Sequence, residues 1–175
     1  MPLSKGTIQV YTGDGKGKTT AALGLALRAC GHGLKVLMIQ FMKGSKNYGE
    51  VMISDEIPGF TLIQSGLPTF VEKDNPSEED LKLAREGLEM ARKAVAEASC
   101  DVLILDEVNV AVDYGLVGVK QVLEIVKRKP PEMEIVLTGR YAPAEFKEIA
   151  DLVTEMKEIK HHYMSGLGMR EGIEY

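Results

Sequence analysis

The chain has 175 residues, 45% hydrophobic and 27% charged, with a formal net charge of −5. That is ordinary globular composition, and the length suits a single domain over residues 1–175 that buries its own core without disulfides or metals. The acidic balance argues against nucleic acid as the main partner, and no apolar stretch reaches membrane-spanning length, so a soluble protein with no membrane partner is expected.

The apolar run Ile8 to Tyr11 reads as a strand, and the alanine- and leucine-rich segment from about Lys18 to Gly31 as a helix. Between them stands Thr12-Gly13-Asp14-Gly15-Lys16-Gly17-Lys18-Thr19-Thr20. Glycines at 13, 15 and 17 let the backbone turn its N–H groups into one concavity at a helix N-terminus, where a polyphosphate fits. Lys18 would reach the phosphate oxygens, Thr19 is placed to ligate a bridging Mg²⁺, and Lys16 supplies a second cation. Gly17-Lys18-Thr19 match the phosphate-loop pattern, with Thr12 in the position where that pattern has its first glycine. The dinucleotide signature fails because Lys18 occupies its third glycine position. Arg28, farther along the helix, would meet nucleotide or solvent.

Lys35 to Phe41 is a continuous apolar run, as in a parallel strand buried on both faces, and it ends in Met42-Lys43-Gly44. Asn47 to Glu50 lead into a short helix, and Phe60 to Ile63 form a short strand. Ser65 to Asn75 mixes turn formers with Leu67, Phe70 and Val71, either a lid over an apolar ligand or a loop tucked onto the core. Ser77 to Asp80 open the longest helix, whose apolar stripe is Leu81, Ala84, Leu88, Ala91, Val95 and Ala98.

Asp101 to Glu107 is an apolar strand ending in two acids. It is expected beside the loop strand, where Asp106 or Glu107 holds Mg²⁺ directly or through water; Glu107 could otherwise orient a water or a ribose. A helix is expected over Gly115 to Arg128, with Leu116, Val119, Val122, Leu123 and Val126 inward. Glu134 to Leu137 form a further strand that delivers Thr138-Gly139-Arg140, with Arg140 placed for phosphate or for a surface ion pair. Pro143 begins a short helix to about Ala150, and Asp151 to Met156 read as the last strand. The tail from about residue 160 would fold near the nucleotide or fray. Cys30 and Cys100 form no Cys-x-x-Cys pair, which suits buried thiols in a reducing cytoplasm. The alternation of strand and helix implies an α/β fold with a mostly parallel sheet, helices on both faces and the ligand at the carboxyl ends of the strands.

A phosphate loop alone does not choose between phosphoryl chemistry, as in a RecA-like ATPase or a nucleoside kinase, and transfer of another part of ATP. The set formed by Thr12 to Ala22, Gly31-His32-Gly33, Gln40 to Gly44, Leu105-Asp106-Glu107, Leu137 to Arg140, Lys160-His161 and Gly172 to Tyr175 resembles the ATP:corrinoid adenosyltransferases of the cob(I)yrinic acid a,c-diamide adenosyltransferase type. The resemblance implies a RecA-like phosphate-loop fold that moves the 5′-deoxyadenosyl group of ATP to the cobalt(I) of a reduced corrinoid and releases triphosphate. It also implies ATP held in the reverse of the usual sense, Mg²⁺, an electron-donating reductase or flavoprotein as partner, and a homodimer. By the same resemblance Gly13 to Thr20 contact phosphate, Arg28 and Arg140 lie on the nucleotide side, and Glu107 is the acid near Mg²⁺ and ribose. Phe70 would supply a ring that excludes the lower axial ligand of the corrinoid; the chain has no Trp for a second such ring.

Overall fold

The computed structural model describes residues 3–175. Strands β1 (Ile8–Thr12), β2 (Val36–Phe41), β3 (Phe60–Ser65), β4 (Val102–Asp106), β5 (Glu134–Thr138) and β6 (Leu152–Glu155) form one all-parallel sheet in the order β3-β2-β4-β5-β1-β6. The helices are α1 (Lys18–Gly31), α2 (Gly49–Ile53), α3 (Glu78–Glu97), α4 (Val108–Asp113), α5 (Val119–Lys127) and α6 (Ala144–Ile149).

Successive strand side chains point to opposite faces, and each face finds a different cover. Val10, Ile39, Leu103, Leu105, Ile135 and Leu137 join a core with α3 and α5, to which Val108 and Ala111 of α4 and Phe146 of α6 are added. Val36, Met38, Ile104 and Val136 face Ala22, Ala26 and Ala29 of α1. Small side chains on that stripe let α1 lie close to the sheet, which sets the loop before it at the carboxyl edge. Ser77 caps α3 in a reciprocal pair with Asp80, so its start is the expected one.

Three expectations need correction. The apolar stripe of α3 ends at Val95, because Ala98 adopts φ 48° as the helix stops and is exposed. The helix expected from Gly115 begins at Val119: Gly115 turns the chain at φ 72°, Gly118 caps the helix, and Leu116 and Val117 are buried by that turn. Apolar spacing runs on across the turn and hides the boundary, while a separate helix, α4, precedes it. Finally, β4 does not lie beside β1; β5 pairs with both and separates them. Thr138, at the end of β5, consequently stands between the loop and the acids.

Candidate nucleotide site

Lys18 and Thr19 open α1 at the carboxyl edge of the sheet, and Gly17 caps that helix at φ 117°. Gly13 and Gly15 are needed for a reason the loop pattern does not contain. A Cβ on Gly13 would run into the Met156 carbonyl, and one on Gly15 would lie 2.8 Å from it, because the chain leaving β6 passes directly against the loop. The Gly15 N–H donates to that same carbonyl at 2.7 Å, so it is committed to the fold. Thr12 is buried and its hydroxyl accepts from the Ala142 N–H at 3.3 Å. Asp14, Lys16 and Thr20 are exposed.

Lys18 is buried, and its Nζ donates to the carbonyls of Gly13 at 2.7 Å and Gly15 at 2.6 Å. Burial lowers the pKa of its ammonium against the pull of Glu107, and the neighbouring Arg140 charge lowers it further. An anion entering the loop would restore the balance.

Asp106 is the centre of the site and is fully buried. Its Oδ1 accepts from the Thr19 hydroxyl at 2.9 Å and the Thr138 hydroxyl at 2.7 Å; its Oδ2 accepts from Lys43 Nζ at 2.7 Å and Gln40 Nε2 at 3.3 Å. Thr138 Oγ1 in turn accepts from the Glu107 N–H at 3.0 Å, which supports Glu107 in its left-handed conformation at φ 60°. Burial and the Asp106 charge push the Glu107 carboxyl above the usual carboxylate range, opposed by Lys43, Lys18 and Arg140. Asn109, also buried, donates to the Gly139 carbonyl at 2.9 Å and leaves its Oδ1 without a partner.

The carboxyl edge thus brings together Lys18, Thr19, Lys43, Asp106, Glu107 and Arg140. Arg140 is exposed, and its charge acts on both Lys18 and Glu107. Arg28 is not brought there. It stands ten residues along α1, roughly 15 Å of helix, on a cleft of about 580 Å³ that also touches Lys5, Thr7, Gln9 and Glu134. Phe70 is 99% exposed, whereas Leu67 and Val71 of the same loop are half-buried, so the segment is tucked down and presents one ring. Lys73 ties that segment to the edge through Asp113 at 2.6 Å and lies over the rings of Tyr114 and Tyr141.

Sequence reasoning missed the parts played by Thr138, Gln40 and Glu174. The tail folds back over the loop: Glu174 pairs with Lys16 at 2.7 Å and with Arg170 at 3.1 Å, and His162 lies 3.5 Å away. The hydrogen bond from Arg170 and then that from Lys16 hold the Glu174 carboxyl well below the usual range. The only sequence signal for this contact was the terminal Gly172 to Tyr175 stretch within the resemblance.

A parallel sheet in this order, with a lysine-threonine loop at its carboxyl edge facing a buried aspartate, defines a RecA-like phosphate-loop fold. The fold comparison agrees: a KaiC-like protein from the archaeon Pyrococcus horikoshii OT3 aligns with a TM-score of 0.59 over 90% of this chain and 76% of that one, at 13% identity. Residues 4–175 match the family described as ATP:corrinoid adenosyltransferase BtuR/CobO/CobP, and the chain belongs to that family. The corrinoid adenosyltransferase of Escherichia coli K12 is 35% identical over 98% of this chain and 86% of its own length. Those of Pseudomonas aeruginosa and Salmonella typhimurium are 32% and 31% identical, each over 98% of this chain and over 84% and 86% of their own lengths.

Proposed function

We propose that this enzyme transfers the 5′-deoxyadenosyl group of ATP to the cobalt(I) of a reduced corrinoid. The observation that carries the reading is the Lys18-Thr19 loop facing Asp106 at the carboxyl edge, in a chain that matches the adenosyltransferase family over residues 4–175. Cobalt(I) supplies the electron pair of the new Co–C5′ bond, the C5′–O bond breaks, and triphosphate leaves with that bonding pair. No residue need move a proton in this step, so the protein's work is to bind, orient and stabilise the charge that develops on the leaving group.

The N–H groups of Lys16 to Thr19 at the start of α1, with Lys18 and Lys16, would receive the phosphates, and Arg140 would approach from the end of β5. Gly13 and Gly15 serve the loop by admitting Met156, and Asp14 and Thr20 flank it. Mg²⁺ suits the donor set, which is made of hard oxygens: the Thr19 hydroxyl, with Asp106 and Glu107 directly or through water. When bound it would neutralise phosphate charge. Phe70 is proposed as a ring against the corrinoid. A homodimer, an electron-donating reductase and a cytoplasmic location belong to the same proposal; the unpaired Cys30 and Cys100 support the last. Among the described residues, no helix is long and apolar enough to cross a membrane.

Mixing the protein with Mg-ATP and a corrinoid chemically reduced to cobalt(I) tests the reading by product analysis. Triphosphate formed together with light-sensitive adenosylcorrinoid is expected. ADP and phosphate released without dependence on corrinoid would overturn it in favour of a RecA-like ATPase or a nucleoside kinase.

A further inference from the structure

Asp106 offers its carboxylate as the natural acid partner of a bound cation, yet its oxygens are already engaged. Four protein donors reach it, two on each oxygen, and a carboxylate has about four lone-pair sites. One of those donors is itself a cation. Lys43 Nζ lies 2.7 Å from Asp106 Oδ2 and 3.3 Å from the Thr19 hydroxyl, so its ammonium spans the two oxygens that would otherwise share a divalent ion.

The backbone that presents Lys43 is closely packed. Met42 before it takes a left-handed φ of 59°, and a Cβ on Gly44 after it would collide with the Gly66 carbonyl. Rotation of the four-carbon Lys43 stem would let the ammonium leave with the loop in place, a motion that Lys makes readily. Something must draw it away, and a polyanion arriving at the neighbouring phosphate loop is suited to do so.

We propose that Lys43 is a displaceable resident counter-cation that makes divalent-cation binding at Thr19 and Asp106 conditional on nucleotide. Without nucleotide the ammonium keeps the ion out, since two cations a few ångströms apart repel strongly in a buried site. With triphosphate on the loop, Lys43 pairs with phosphate and the ion enters between the oxygens it has vacated. Lys43 is thus a positioning residue that orders ligand arrival. This rests on the phosphate site proposed above.

The test is direct titration of the full-length protein with Mn²⁺, read by the electron paramagnetic resonance signal of the free ion. In the absence of nucleotide the wild type is expected to show no saturable site at millimolar Mn²⁺, and Lys43→Gln to gain one site per chain, tighter by roughly tenfold or more. Lys43→Met should behave like Lys43→Gln, and Lys43→Arg, which keeps the charge, like the wild type. Adding Asp106→Asn to Lys43→Gln should abolish the gained site. Nucleotide-free Mn²⁺ affinity that is equal in Lys43→Gln and wild type overturns the proposal, as does tight Mn²⁺ binding by the nucleotide-free wild type, which needs no variant. A separate calorimetric titration with ATP in the presence of EDTA keeps the two ideas apart: failure of metal-free ATP to bind the wild type would count against the phosphate site itself, whereas ATP binding with equal nucleotide-free Mn²⁺ affinity in Lys43→Gln and wild type would overturn the role of Lys43 alone.

Discussion

Replacing Thr138 by Val tests whether the acids are organised through the strand between them and the loop. The substitution nearly conserves volume at a fully buried position and removes one oxygen with two hydrogen bonds. Asp106 Oδ1 loses a donor at 2.7 Å, and the Glu107 N–H loses its acceptor at 3.0 Å. A hydrogen bond to a charged group contributes ~1.5–3 kcal/mol, and a buried N–H left unpaired costs ~1–3 kcal/mol. Since the added methyl recovers part of this, a net loss of ~2–4 kcal/mol is expected, or roughly 5–15 °C in Tm for a chain of this size. Thr138→Ser keeps the hydroxyl and sacrifices one buried methyl, which costs ~1 kcal/mol. Guanidinium unfolding monitored by circular dichroism measures both. If Thr138→Val proves no less stable than Thr138→Ser, the hydroxyl does not organise Asp106 and Glu107, and the reasoning fails.

Phe70→Ala should leave stability within ~0.5 kcal/mol, because the ring is 99% exposed. It should slow adenosylation under weak reductants while ATP affinity measured by calorimetry stays near wild type; equal loss of both would remove Phe70 from the corrinoid side. Glu107 has a folded pKa above its unfolded value. The folded chain therefore binds more protons across that interval, and stability falls as pH rises through it. Glu107→Gln should accordingly stabilise the fold at neutral pH, with the gain vanishing below about pH 4; a gain independent of pH would contradict the assignment. Glu174→Gln weakens the contacts to Lys16 and Arg170 that seat the tail on the loop. Trypsin should then cut at Lys157 and Lys160 faster while the unfolding midpoint is unchanged, and unaltered cleavage would mean that the tail is held by other contacts.

Local chemistry made much of this protein legible in its sequence. Continuous apolar runs marked the buried parallel strands, since both faces of such a sheet are covered. The serine-aspartate cap marked the start of α3, and Lys18-Thr19 at a helix N-terminus marked the phosphate loop, because the groups that cap a helix or cradle phosphate are neighbours along the chain. The family resemblance added the chemistry that a phosphate loop alone leaves undecided. Strand order was another matter. That β5 lies between β1 and β4, and so sets the Thr138 hydroxyl against both acids, depends on pairings between segments far apart in the chain. The Lys43–Asp106 ion pair spans 63 residues and the Lys16–Glu174 pair 158, beyond the reach of any spacing rule. Even the reason for Gly13 and Gly15 is tertiary: the loop pattern asks for flexible backbone, whereas the folded chain needs room for Met156.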